Sequence, residues 1–366
     1  MATAFRSIAT AVPEHRLETA DALSHLREFW PRLAKLAEDE ASLGARYTCE
    51  PIEQLLKPRS LTALRASYLQ HAGRLAESAA RKALQGAGLR GADVDLVITV
   101  SCTGYVVPSL DVQLSGPLGF RPDVLRLPIT ELGCSGGSAA IAAGQRHLLA
   151  YPDDHVLIVA VEVPSLSFQP DDQSVDNLTA CLVFGDGAGA AVLARPDRRA
   201  THLQVVRAAS HLIPGTADIL GFDLRDSGFH VVLDRRLPRV LARDLKPVVD
   251  RFLAAGEMRP PSFYAVHAAG PRIFNAFESS LELPPDALAI SRQVFADVGN
   301  ASSAAIFFVL DSLIGSPPAQ ATTGLGLGVG PGVSLELMEL AWVPAEVDAP
   351  AAVMTGASAS IQPGPA

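Results

Sequence analysis

The chain has 366 residues, 48% of them hydrophobic and 19% charged, with a formal net charge of −9. This is a globular composition, long enough for two domains or one large α/β unit, and it excludes a disordered polyampholyte. The negative balance argues against a nucleic-acid partner, because phosphate neutralisation needs a basic face; an anionic substrate would need a local basic entrance. Starting at the N-terminus, "MATAFRSIATAVPEHRL" holds no long apolar region and no signal peptide is expected. Residues 20–46 carry helical patterns and are expected to form an N-terminal helical arm. The alanine-rich "YLQHAGRLAESAARKALQGAG" (68–88) predicts an amphipathic helix, and "DLVITVS" from Asp95 a strand buried on both faces. "ELGCSGGSAAI" (131–141) places Cys134 where an apolar strand turns into a helix. "HVLIVAVEV" from His155 is a second buried strand, too short to span a bilayer. "SFYAVHA" from Ser262 is a third and carries His267 at its end. After Val343 the chain turns to Ala, Pro, Gly and Ser, so residues 346–366 are expected to be a disordered tail. Strands alternating with helices predict a mostly parallel sheet covered by helices.

Two segments repeat. "GCSGGSAAI" at Gly133 and "GNASSAAI" at Gly299 share a glycine, a polar residue, small residues and Ser-Ala-Ala-Ile. Each is followed by a glycine-rich turn feeding a strand, "FGDGAGAAVL" from Phe184 and "GVGPGVSLELMEL" from Gly328. Two copies of one α/β unit account for both, spanning residues 1–200 and 201–345. Equivalent helix starts would then meet near a pseudo-twofold axis, with Cys134 facing Asn300 and His267 at a strand end beside them.

A thiol at a helix start is either a small buried hydrophobe or a nucleophile with a lowered pKa. Cys49, Cys102, Cys134 and Cys181 form no CxxC pair and no metal-ligand set, which fits reduced thiols in a cytoplasmic protein. Beside Cys134, a cationic His267 would hold the thiolate. A Cys, His and Asn trio serves either amide hydrolysis, where asparagine orients the imidazole, or carbon–carbon condensation of thioesters. In the second, His and Asn both donate to a thioester oxygen. The duplicated, glycine-closed architecture favours condensation.

These segments resemble the type III polyketide synthases, the chalcone-synthase-like branch of the thiolase superfamily. The resemblance rests on "GCSGG" at Cys134, "FGDGAGA" at Phe184, "VHAAGPRI" at His267, "DVGNASSA" at Asn300 and "GVGPG" at 328–332, within residues 5–343. It implies a thiolase fold, with βαβαβαββ halves forming a five-layered αβαβα sandwich. It also implies a homodimer and a buried cavity reached through a coenzyme A tunnel. The implied reaction is iterative decarboxylative condensation of malonyl-CoA onto an acyl-CoA starter held on Cys134, followed by cyclisation. Coenzyme A thioesters are the substrates; no metal or other cofactor and no membrane are implied. By the same resemblance Phe168 matches an aromatic gatekeeper. Cys102, Thr103, Ser167, Phe222, Val231 and Ser302 match cavity positions, and Gly330 and Pro331 a loop beside the site. Arg46 and Arg272 match coenzyme A contacts.

The chain departs from the plant pattern at Ser42 and Ala45, where basic residues are usual. Phe222 replaces a glycine and is expected to point into the cavity and limit starter size; Val231 replaces a second aromatic gate. Two alternatives stand beside this reading. One is a β-ketoacyl synthase III type enzyme making a single condensation, separable by the count of malonyl units per product. The other is a non-catalytic thiolase-fold scaffold, which would lack a reactive thiol. The starter and ring closure are not legible in the sequence, although "SLSFQPDD" resembles bacterial enzymes that use malonyl or other short starters.

Overall fold

The computed structural model describes residues 3–30, 44–197 and 199–345. Part of the expected N-terminal arm, Ser42 included, and the expected tail lie outside the described residues. The arm begins with a helix, α1 (Thr19–Phe29), set between β2 (His15–Glu18) and β3 (Ala45–Thr48), which pair antiparallel.

The first half of the chain runs β1 (Thr3–Ala11), α2 (Leu61–Ala87), β4 (Leu96–Val100), α3 (Leu110–Leu118), β5 (Leu125–Ile129), α4 (Gly136–Ala150), β6 (Val156–Glu162), α5 (Val175–Val183) and β7 (Gly187–Ala194). The second runs β8 (His202–Leu212), the hairpin β9 (Leu220–Arg225) and β10 (Gly228–Leu233), α6 (Leu237–Ala255), β11 (Phe263–Val266), α7 (Pro271–Leu281), α8 (Ala289–Val298), α9 (Ala305–Ile314), β12 (Thr322–Gly330) and β13 (Ser334–Val343). The main sheet has nine strands in the order β5-β4-β6-β7-β1-β8-β13-β12-β11. From β4 inward the pairings are parallel, antiparallel, antiparallel; from β11 inward they are the same. That symmetry is the duplication in structural form. Two differences qualify it. Strand β5 has no counterpart in the second half, where α8 leads straight to the turn holding Asn300. The two half-sheets are also joined edge to edge, through Thr3 with Val205 and Ala4 with Gln204.

The layers follow from strand alternation. Val97, Leu157, Val159, Ala188 and Ala190 face outward to α2 and α3, while Ile98, Ile158, Ala160, Ala191 and Leu193 face inward to α4. Helix α4 touches β4 and β6 of the first half and β8, β12 and β13 of the second, and it packs on α9. Helix α6 covers the far side of the second half, and the five αβαβα layers result. Small residues set the spacing: α2 buries Ala72, Ala76, Ala79, Ala80 and Ala83 against β1, β6 and β7. That helix starts earlier than its apolar pattern suggests, because Ser60 caps it by accepting from the Ala63 N–H at 3.3 Å. It ends at Gly88, in the left-handed region at φ 69°.

Candidate active site

Cys134 sits in a single 3₁₀ turn, Gly133–Ser135, that runs into α4. The glycines around it are dictated by contact. Gly133 has φ +51°, and a Cβ there would stand 2.5 Å from the Pro331 ring; a Cβ on Gly137 would stand 2.1 Å from the Ser303 carbonyl oxygen. The nucleophile turn is therefore wedged between the β12–β13 loop and the start of α9, and only hydrogen fits at either place.

The second half supplies the matching turn. The Asn300 N–H donates to the Val183 carbonyl at 2.8 Å, and its Oδ1 accepts from the Ser302 N–H at 2.8 Å. Ser302 is held at φ 48°, and its Oγ stands 3.4 Å from Cys134 Sγ and 3.5 Å from Cys102 Sγ. His267 ends β11, is buried, and accepts at Nδ1 from the Val329 N–H at 3.4 Å. In the neutral ring the proton then sits on Nε2. Cys134, His267 and Asn300 all line one cavity of about 610 Å³.

Burial governs the charges here. It pushes the Cys134 thiol up to about 11, aided by the Glu162 charge, while hydrogen bonds from Ser302 and Asn300 act the other way. Burial pulls His267 down to about 4. Loss of water thus works against both the thiolate and the imidazolium expected from the sequence, and the hydrogen bonds at each group work for them.

The remaining expected residues divide into four places. Arg272 lines the large cavity, and so does Arg235, which sequence reasoning missed. Phe168, Ser167, Phe222 and Val231 line a separate chamber of about 70 Å³ and not the cavity that holds Cys134, where Phe222 was expected. Phe168 packs on Trp30, ring centroids 5.3 Å apart, and does not line the cavity that holds Cys134. The residue common to the two linings is Phe184, which also bridges to Asn300 through its backbone. Its signal was the first letter of "FGDGAGA", read only as a turn. Arg46 is not brought to Arg272. It is buried in the small chamber, where it donates to Thr19 Oγ1 at 2.8 Å, because β3 holds it inside the arm.

Thr103 and Cys102 face a buried carboxylate. Glu162, at the end of β6, accepts from the Cys102 N–H at 3.0 Å, the Thr103 hydroxyl at 2.7 Å and the Ser303 hydroxyl. Burial raises its pKa, and these donors oppose the rise. A lone acid closing the apolar run "HVLIVAVEV" was the overlooked sign. Gly330 and Pro331 lie behind the nucleophile turn and are not among the residues lining either cavity; a Cβ on Gly330 would stand 2.2 Å from Ser135 Oγ.

The chain matches the descriptions "Chalcone and stilbene synthases, N-terminal domain" over residues 51–216 and "Chalcone and stilbene synthases, C-terminal domain" over residues 204–344. A 1,3,6,8-tetrahydroxynaphthalene synthase of Streptomyces griseus is 35% identical over 93% of each chain. The chain is a type III polyketide synthase of the chalcone and stilbene synthase family. A phloroglucinol synthase of Pseudomonas fluorescens is 30% identical, over 90% of this chain and 96% of the relative. The solved structure of 1,3,6,8-tetrahydroxynaphthalene synthase from Streptomyces coelicolor superposes with a TM-score of 0.88 at 32% identity, covering 93% of this chain and all of the other. Germicidin synthase from the same organism gives 0.86 at 28% identity, over 94% and 100%. The fold is that of the family, and this synthase is an acyl-transferring condensing enzyme. Among the described residues no helix is long and apolar enough to cross a membrane.

Proposed function

We propose that Cys134 carries the growing chain and that His267 and Asn300 form the oxyanion site for iterative condensation of malonyl-CoA. The shared lining of one cavity by these three residues carries the reading. In loading, Cys134 sulfur bonds to the starter carbonyl carbon, the bond to the coenzyme A sulfur breaks, and the thiol proton leaves on that sulfur. Malonyl-CoA then loses CO₂, and the electron pair of the broken C–C bond becomes an enolate. His267 Nε2–H and Asn300 Nδ2–H donate to its oxygen; the enolate carbon attacks the acyl carbonyl and Cys134 sulfur departs. Such preorganised donors are worth roughly 3–4 kcal/mol each. Repetition and ring closure give an aromatic or pyrone product.

Arg272 and Arg235 line the same cavity and supply the positive charge that an entering coenzyme A phosphate needs in an acidic protein. The relatives named for tetrahydroxynaphthalene and phloroglucinol support a small oxygenated ring as product. A homodimer is supported by β5, an edge strand that exposes Leu125 and Leu127. The test is incubation with malonyl-CoA alone and with acetyl- or hexanoyl-CoA added, products being identified by mass. Products with two or more malonyl units are expected. A single unit would indicate the one-condensation alternative, and no product with an unreactive Cys134 the scaffold.

A further inference from the structure

The small chamber contains a charge that the reaction as described does not use. Its lining is otherwise apolar or uncharged, with Leu26, Leu56, Phe168, Phe222 and Val231 around one guanidinium. Arg46 is 1% exposed. One of its nitrogens donates to Thr19 Oγ1, but among the described residues Nε and Nη1 have no hydrogen-bond partner. A buried arginine with two idle donors is costly, because each N–H has lost water and gained nothing. Burial lowers its pKa only to about 10, so it is charged at neutral pH. The neighbouring Cys181 offers no counter-charge, since burial pushes its thiol well above the usual range. Glu18 acts on it through charge alone and is not a hydrogen-bond partner.

The backbone leaves Arg46 no easy retreat. A Cβ on Gly185 would lie 3.1 Å from the Arg46 Cβ, and one on Gly299 would lie 3.3 Å from it, so the stem passes directly beside the residue before Asn300. Phe184 lines both this chamber and the cavity holding Cys134, so the two spaces meet at this residue. A chain growing from Cys134 past Phe184 would deliver its far end, not its thioester, to the guanidinium. The volume, about 70 Å³, suits a carboxylate-sized group.

We propose that Arg46 is a specificity residue whose idle Nε and Nη1 donors bind an anionic oxygen at the distal end of the Cys134-bound acyl chain. This rests on the proposed role of Cys134. The oxygen has two possible sources: a carboxylate retained on the starter, as when malonyl primes the chain, or an enolised ketone of the extended chain. No bond is made or broken at Arg46; it holds the far end straight or bent, and so selects starter and length.

The experiment compares wild-type protein with Arg46→Met and Arg46→Lys in two arms, malonyl-CoA alone and malonyl-CoA with hexanoyl-CoA, by kcat/KM and product mass. The ratio of malonyl-primed to hexanoyl-primed turnover should fall roughly 10- to 100-fold in Arg46→Met, the range of one or two charge-assisted hydrogen bonds. Lysine should restore part of it. A purely structural role would lower both arms together and leave the ratio alone. If the ratio holds but both arms yield products with fewer extensions, the enolised ketone is the ligand. An unchanged ratio with unchanged product lengths overturns the proposal. Should Arg46→Met fail to fold, Arg46→Lys reads the same ratio and lengths, because it keeps the charge and loses the fork of donors. Wild-type protein that makes no product in either arm refutes the proposed function itself, a result separate from these.

Discussion

Asn300 does two jobs with one amide, and they separate by substitution. Its Oδ1 accepts from the Ser302 N–H and fixes the strained turn that brings Ser302 to Cys134, while its Nδ2 donates weakly to the Ala269 carbonyl at 3.4 Å and is available to an oxyanion. Asn300→Asp keeps the acceptor and removes the donor. Malonyl decarboxylation should fall roughly 10²–10³-fold with the melting temperature nearly unchanged, whereas Asn300→Ala should lose both. An Asp variant that decarboxylates at the wild-type rate would remove Asn300 from the oxyanion site. Cys134→Ala fits a turn built of small residues, so the protein should fold and fail to load any acyl group, seen as the absence of the acyl adduct by intact mass. Adduct formation elsewhere in that variant would move the nucleophile.

At the scale of elements, two buried features bind the arm and helices to the site. Asp186, at the turn before β7, accepts from the Cys49 N–H at 2.6 Å and from the Ser165 N–H at 2.9 Å and hydroxyl at 2.5 Å, tying β3 to the chamber wall. Burial raises its pKa to about 6. Its unfolded value is near 4, so the folded state binds the extra proton; the stability it contributes is complete below about pH 4 and lost as pH rises through 6, by roughly 3 kcal/mol. Asp186→Asn stays neutral but turns a donor toward an N–H. The stability gap between wild type and this variant, read from urea melts, should be widest at or below about pH 4 and narrow toward pH 7; a gap that widens with pH would contradict the sign. Phe184 and Phe168 make the second pair. Phe184→Ala should merge chamber and cavity and change product length, while Phe168→Ala should chiefly cost stability, about 3 kcal/mol, through lost packing on Trp30. Product profiles beside thermal melts check both, and a length change confined to Phe168→Ala would reverse the assignment.

For the whole molecule the open edge is β5. Its side chains are mostly exposed, Leu125 at 53%, although it pairs with β4, which is buried throughout like β6 and β7. Pairing of this edge with a second copy would cover it, and Leu127→Asp should then convert the dimer to monomer in light scattering without unfolding the protein. A wild-type monomer at micromolar concentration would dismiss the interface.

The buried strands from Asp95 and His155, the strand from Ser262 (though half-buried at the sheet edge), the α2 helix, the repeat and the meeting of Cys134, His267 and Asn300 at one cavity were legible in the sequence, because period, small-residue turns and a duplicated motif are local properties of the chain. What surrounds the trio was not. Phe168 and Phe184 are both aromatic residues beside glycine, proline or polar neighbours, and only packing decides which of them lines both cavities. Arg46 looks like a surface cation in any local reading, yet β3 carries it inside to a chamber built from α1, α5 and the β9–β10 hairpin. Glu162 reads as one acid ending a strand, and only the approach of Ser303 from the other half makes it a shared buried acceptor. The charges followed the same division: the sequence named the thiol and the imidazole, but the pull of burial against their charged forms comes from the loss of water around them, which requires the whole fold.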